Sequence, residues 1–211
     1  MQCPNLPACD AGDSGNASND ANFFVSSETN MTGDLGGLAG ADERCQTLAQ
    51  AAGLGAKTWH AYLSVEHDEA NGGNATHARD RIGEGPFFNV EGAMLAEDLD
   101  ALHARNGDAE LFLDEHGDKV PGQWPASPTP IEHDILTGTN PDGEVMPGMT
   151  CDDWTSDASD QAAQVGHSDG LGPGANPDPP YASWFSSHAN QDCSDTGPRG
   201  GAGRIYCFAV E

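Results

Sequence analysis

Basic residues are scarce in this chain of 211 residues, since eight Lys and Arg stand against 34 Asp and Glu and give a formal charge of −26. A surface this acidic repels nucleic acids and anionic membranes, which excludes both as partners. It is typical of proteins adapted to salt or of proteins that bind cations. Hydrophobic residues are also few, at 36%, whereas there are 27 glycines and 14 prolines. This composition predicts a core of modest size that carries many ordered loops.

Long apolar runs are missing as well, so the sequence predicts no membrane span. Cysteine pairs of the CxxC type are absent, which argues against a zinc-finger-like site. The six cysteines are an even number and predict three disulfides formed in an oxidising compartment. Met1 directly before "QCPNLPAC" is interpreted as a start codon added to a mature secreted segment. We therefore expect a secreted, extracellular or cell-surface protein.

The polarity of the chain changes near residue 22. Residues 1–22 are rich in Asp, Asn, Ser and Gly, which predicts a flexible N-terminal segment with a small loop closed by Cys3–Cys9. Residues 23–211 contain no internal repeat and no further boundary. They are predicted to form one domain.

Helix and strand signals place the cysteines. Cys45 falls on the apolar face of a helix that Gly53 ends, because the small apolar residues around it recur at helical spacing. Cys207 lies in "RIYCFAV", which is predicted to be the last strand. A bond between Cys45 and Cys207 would close nearly the whole domain, and Cys151 and Cys193 would then clip the long loop region.

Five stretches carry a family resemblance. They are, in order along the chain, "GLAGADERCQTLAQAAGL", "WHAYLS", "HDILTGTNPDGE", "CDDWTS" and "CSDTGPRGGAGRIYCFAVE". In these stretches the chain resembles the endostatin-like branch of the C-type-lectin-like fold and the bacterial secreted proteins related to it. The resemblance implies an α+β domain with a twisted antiparallel sheet, two helices and long disulfide-clipped loops. It also implies the disulfides Cys45–Cys207 and Cys151–Cys193.

The functional residues of that family do not carry over. Endostatins bind zinc through histidines near the N-terminus, but residues 1–59 contain no histidine. They bind heparin through clustered arginines, and this chain has too few basic residues for such a cluster. Neither activity is therefore expected from the resemblance.

Calcium is the first candidate ligand, because sugar-binding C-type lectins place acid and amide side chains before their second and third cysteines. Carboxylate and amide oxygens on rigid loops are the ligands that Ca²⁺ prefers. The corresponding side chains here are Asn140, Asp142, Glu144 and Asp192. The alternative is that "NPDG" is a plain turn.

Histidines of the loop-rich half form the second candidate site. His133-Asp134, His167-x-Asp169 and His188 could hold zinc with one position open for water. The same histidines could instead orient Ser187 as a nucleophile. No HExxH or GxSxG spacing supports either chemistry, so the alternative is that these side chains only bond loop backbone.

Aromatic and polar side chains near the last loops form the third candidate site. Trp184 lies in a Pro-rich run with an exposed character, and a sugar ring can stack on such a side chain. The predicted ligand-binding set is Trp184, Tyr181, His188 and Asn190. The alternative for the aromatic residues is core packing, which is also the interpretation of Trp154 beside Cys151.

These patterns predict a binding domain that recognises a glycan or an extracellular protein through its long loops. They leave its cofactor open, with calcium as the first candidate ion and zinc as the second. The alternative is a metal-dependent hydrolase or other metalloenzyme that uses the loop histidines. A further alternative is a structural domain of a surface or an assembly.

Overall fold

The computed structural model describes residues 18 and 20–210, which form an α+β arrangement. The predicted Cys3–Cys9 loop lies outside these residues. The elements are β1 (Phe23–Val25), α1 (Gly37–Ala51), β2 (Trp59–Ala61), β3 (Val65–Asp68), β4 (Asn74–Thr76), β5 (Phe87–Phe88), β6 (Met94–Ala96), α2 (Leu99–Ala104), β7 (Asp134–Leu136), β8 (Gln164–His167), β9 (His188–Ala189) and β10 (Gly201–Ala209). Short 3₁₀ turns occur at Glu69–Asn71, Ala78–Arg81 and Pro198–Gly200. In this part of the chain no helix is long and apolar enough to cross a membrane.

Helix α1 forms where the small apolar residues recur at helical spacing. Ala41, Cys45 and Ala49 are its buried residues, and their short side chains let the helix approach the sheet closely. Gly53, with φ of 81°, takes the left-handed conformation just after the helix. The predicted end of the helix at Gly53 is thus confirmed to within two residues.

Strand β10 organises the main sheet, whose order is β1-β10-β7-β8-β9 with β2 also paired to β10. β2 pairs with the C-terminal part of β10, and β7 pairs with its N-terminal part. The β10–β7 pair is parallel, so the expectation of a purely antiparallel sheet is wrong for this pair. Parallel neighbours need a long connection, and here the chain between β7 and β10 provides it.

Alternation along the central strands produces two cores. Phe24, Ile205 and Cys207 face α1 and belong to one buried cluster. Phe23 and Phe208, which alternate with them, belong to a second cluster on the other face. Since both faces are covered, β1 and the C-terminal part of β10 are continuous apolar runs.

Two of the predicted disulfides are confirmed. Cys45–Cys207 joins α1 to β10, and Cys151–Cys193 joins two segments of the loop-rich half. These cross-links close loops of 162 and 42 residues. Long closed loops restrict the unfolded chain most, so both bonds stabilise a domain that has little regular structure.

The segment Cys151–Trp154 is a single left-handed turn, in which the four residues have φ of 47°, 52°, 54° and 66°. Side chains other than glycine rarely adopt this conformation, so tertiary contacts must hold it. Trp154 is fully buried and donates from Nε1 to the Ser64 carbonyl oxygen. The carboxylate of Asp153 accepts hydrogen bonds from the backbone N–H groups of Glu66 and His67. The segment "CDDWTS" therefore has a structural role, since its side chains attach this turn to the residues around Ser64.

Candidate metal centre

A pocket of about 410 Å³ opens where β7 begins, β8 ends and β9 begins. Its volume is within the range of small-molecule sites. The lining residues are Gln123, His133, His167, Pro173, Tyr181, His188 and Arg199. Three of the eight histidines of the chain thus meet at one pocket.

Strand register brings the ionisable residues together. Asp134 begins β7 and is paired directly with His167, the last residue of β8. His188 begins β9 and is paired with Val165, which lies on the same face of β8 as His167. Opposite and diagonal neighbours on one face of a sheet are within side-chain reach. His133 joins them because it immediately precedes β7.

The side-chain atoms converge closely. His133, Asp134 and His167 each offer a ligand atom within 4.8 Å of the others. Asp134 Oδ1 lies 3.4 Å from His133 Nε2 and 3.3 Å from His167 Nε2. His188 Nε2 lies 3.5 Å from Asp134 Oδ2 and 2.9 Å from His167 Nε2.

In His133 and His188 the Nδ1 atom, which faces away from Asp134, makes a hydrogen bond that fixes the tautomer of the ring. His133 Nδ1 lies 2.7 Å from Asp169 Oδ1, and His188 Nδ1 lies 2.9 Å from the Ala189 carbonyl oxygen. Both partners are acceptors, so each Nδ1 carries a proton, and in the neutral form of each ring an Nε2 lone pair faces the cluster. The cluster is thus built from groups that accept hydrogen bonds.

The carboxylate of Asp134 has no hydrogen-bond donor for either oxygen among the described residues, although the residue is only 2% exposed. Burying a charge without a partner is costly. A proton on His167 Nε2 would satisfy the contact with His188 but would leave the His133 lone pair facing Asp134. One cation held by His133, Asp134 and His167 would satisfy the carboxylate and both of these imidazoles.

The separations also match metal coordination. Ligand atoms that each lie about 2.0–2.2 Å from a shared zinc ion are about 2.9 Å apart at an angle of 90° and about 3.4 Å apart at the tetrahedral angle. The four separations described above run from 2.9 to 3.5 Å. Imidazole nitrogen with one carboxylate oxygen is a donor set that suits zinc and other divalent transition metals better than calcium.

Asp169 orients His133 by accepting a hydrogen bond from its Nδ1, the nitrogen remote from Asp134. Burial alone would raise the pKa of the Asp169 carboxyl, but the hydrogen bond and charge of His133 and the N–H groups of Gln123 and Leu171 bring it below its usual value. The carboxylate is therefore ionised at neutral pH. A carboxylate on the remote nitrogen of a ligating histidine orients the ring and makes it a better donor.

Ser187 is not arranged as a nucleophile. Its Oγ lies 3.5 Å from Nδ1 and 3.3 Å from Nε2 of His167, so it is aligned with the lone pair of neither nitrogen. The side chain is buried, and no second imidazole contacts its hydroxyl among the described residues. The geometry supports metal chemistry more than serine chemistry.

The predicted aromatic platform is wrong for Trp184. Its side chain is fully buried, and its Nε1 donates to the Leu102 carbonyl oxygen, so no sugar ring can stack on it. Asn190 is also buried, and its amide bonds the backbone of Ala163 and Asp192. Tyr181 does line the pocket, and its ring is parallel to that of His167 at 5.9 Å.

The side chains predicted for calcium lie in loops outside the histidine cluster. The Asn140 Oδ1 accepts from the N–H groups of Asp142 and Glu144, which is the pattern of a turn. Asp192 Oδ1 accepts from the hydroxyl and N–H of Ser194, and these bonds lower the pKa of the Asp192 carboxyl. Asn140 Oδ1 and Asp192 Oδ1 thus accept hydrogen bonds from residues near them in the sequence. Calcium binding by these side chains stays a prediction.

Three pocket residues were not expected from the sequence, namely Gln123, Pro173 and Arg199. No spacing links them to the histidines, because each lies in a different loop or turn of the chain. Arg199 could have been noticed only as one of eight basic residues in an acidic chain.

No family model matches this chain. No curated protein matches it either. Function has therefore to be argued from the site itself.

Proposed function

We propose that this protein is a metalloprotein that binds one divalent transition-metal ion, with zinc as the first choice. His133, Asp134, His167 and His188 would be its ligands. The observation that carries the proposal is the buried, unpartnered carboxylate of Asp134 between three imidazole nitrogens. Lone pairs that face one another at these distances need a proton or a cation between them, and one metal ion can serve several of them at once.

The pocket suggests what such an ion would do. Three histidines of the proposed set line the pocket, so a fifth coordination position beside the four proposed ligands would face a cavity large enough for a small molecule. A zinc ion with neutral imidazole ligands and one carboxylate keeps positive charge, which lowers the pKa of a bound water. Metal-dependent hydrolysis is therefore the reaction class that we propose.

Elemental analysis of purified, dialysed protein tests the metal. We expect close to one zinc per chain and a melting temperature that falls when EDTA removes it. His133→Ala and His188→Ala should each lose the ion, whereas His116→Ala should keep it, because His116 is an exposed histidine outside the cluster. Wild-type protein that binds no zinc, manganese, iron, cobalt or copper at micromolar concentration would contradict the proposal.

Activity needs a separate measurement. The zinc-loaded protein and His188→Ala would be compared on panels of phosphate, carboxylate and glycosidic esters with chromogenic leaving groups. Turnover that disappears with the metal supports a hydrolase. Tight metal binding without turnover supports a metal-dependent binding domain, and a glycan array would then identify sugar ligands that contact Tyr181.

We also propose that the domain has the C-type-lectin-like architecture in its endostatin-like form and is secreted or displayed at the cell surface. Support comes from the disulfide between the first helix and the last strand and from the second, enclosed disulfide. Both bonds require an oxidising compartment. An experimental structure superposed on endostatin tests the fold, and fractionation of producing cells tests the location.

A further inference from the structure

The lining of the pocket differs in its charged residues from the rest of this acidic chain. The chain has 34 acidic residues, yet the lining of the pocket includes no Asp or Glu and does include Arg199. A metal ion bound by the histidines, together with Arg199, would make this region attract anions within an acidic protein.

Arg199 differs from the other basic residues. Six of the eight lie within 4.0 Å of a carboxylate, namely Arg44, Arg79, Arg81, Arg105, Lys119 and Arg204. Lys57 donates to the Ala21 carbonyl oxygen. Arg199 has no carboxylate within this distance in the part of the chain that the structure describes, and its one contact is a 3.4 Å bond to the Ala189 carbonyl oxygen.

The turn Pro198–Gly200 sets Arg199 beside the histidines. Arg199 has φ of 69°, a left-handed conformation that is unfavourable for a residue with a side chain. A Cβ placed on Gly200 would lie 3.3 Å from Cδ2 and 3.4 Å from Nε2 of His133, so this turn is packed directly against the imidazole. Arg199 thus borders the same cavity as the proposed ligands, and its guanidinium lies next to the residue that follows His188.

Two further residues of the lining, Gln123 and Tyr181, carry side-chain donors. Neither the amide nor the hydroxyl makes a hydrogen bond to another of the described residues. An arginine, an amide and a phenol beside a metal form a set that recognises oxygen anions, because a guanidinium donates two parallel hydrogen bonds to a carboxylate or a phosphate.

We propose that the pocket binds a small molecule bearing an oxyanion, a carboxylate or a phosphate group. One oxygen of this group would bind the metal, and another would accept from Arg199. This inference rests on the proposed metal centre and adds the class of its ligand. In a protein of charge −26, the metal and Arg199 together supply the local attraction that such a ligand requires.

Titration of the Co²⁺-loaded protein with inorganic phosphate and, separately, with acetate tests the inference, because cobalt absorption in the visible range changes when a ligand enters its coordination shell. We expect one of the two anions to bind to the wild type. Arg199→Gln should weaken that binding about 10- to 100-fold, in proportion to the loss of one charge-assisted contact. Arg199→Lys should recover part of it, and Arg79→Gln, a surface control, should leave it unchanged. The comparison of the two anions distinguishes phosphate from carboxylate.

The possible failures are separable. Suppose that the wild type and Arg199→Gln both bind cobalt, but that neither anion changes the cobalt absorption or that both proteins bind the anion with equal affinity. Either result would overturn the oxyanion inference and leave the metal centre intact. A wild type that binds no metal would overturn the metal centre and this inference with it.

Discussion

The Nε2 atoms of His167 and His188 lie 2.9 Å apart on neighbouring antiparallel strands. At this distance two imidazole nitrogens need either a shared proton or a shared cation between them. Since Asp134 lies within 3.5 Å of both nitrogens without a donor of its own, the cation is the arrangement that also satisfies the carboxylate. The chemistry of the site thus depends on the register of three short strands.

Asp134→Asn should have opposite effects on the two forms of the protein. Loss of the carboxylate should reduce zinc affinity at least about 100-fold, because an amide is a poor ligand. The metal-free protein at pH 8 should become more stable, by on the order of 1 kcal/mol, because the variant removes a buried charge and can donate to an imidazole. Chelator competition and urea unfolding measure the two effects. A metal-free variant that is less stable than the wild type would contradict this account.

Asp169→Asn should weaken zinc binding although Asp169 is not a proposed ligand. Its two oxygens accept from His133 Nδ1 and from the N–H groups of Gln123 and Leu171, so an amide NH₂ group must face one of these donors. We expect a 10- to 100-fold loss of affinity, which is typical of losing such a support. Asp160→Asn, an exposed residue with the same charge change, is the control. Equal zinc affinities for the two variants would refute the role of Asp169.

Gly166→Ala should damage the site through the backbone. A Cβ at this position would lie 1.9 Å from the Trp184 carbonyl oxygen and 2.3 Å from the Phe185 nitrogen, and backbone cannot move aside without displacing β8. We expect a loss of about 3 kcal/mol or more in the free energy of unfolding, measured in urea. Gly83→Ala, whose nearest neighbour would be 4.0 Å away, should change stability by less than about 0.5 kcal/mol. Similar losses in both variants would argue against the close approach.

His103 should make stability depend on pH. Burial lowers its pKa, helped by the charge of Arg79, although the Leu99 carbonyl and Asp100 act in the opposite direction. Its Nε2 accepts from the Tyr62 hydroxyl, so the neutral ring is the form that fits. Because the folded pKa lies below the unfolded value of about 6.5, this stabilisation is complete above that pH and decreases as the pH falls through it.

The comparison with His103→Gln isolates this residue from the other histidines. The stability advantage of the wild type over the variant, measured by urea unfolding between pH 5 and pH 8, should shrink on the acid side. A difference that stays constant over this range would show that His103 does not titrate as described.

Local patterns predicted much of the scaffold. Helical spacing around Cys45 predicted α1, and the apolar run around Cys207 predicted β10, because burial on a helix face or a covered sheet leaves a period in the sequence. The family resemblance added the pairing of four cysteines, which the structure confirms. The parallel neighbour of β10 was not predicted, because register between distant strands leaves no local signal.

The sequence by itself determined an acidic α+β domain closed by disulfides, since charge, apolar period and cysteines are properties of residues and of short segments. It also indicated His133, Asp134, His167, Asp169 and His188 as candidates, but only by residue type. Only the tertiary structure decided that these five meet, that Trp184 is core, and that Arg199 shares their pocket. Those outcomes depend on contacts between residues distant in sequence, which form only when strand register and loop packing bring the segments together.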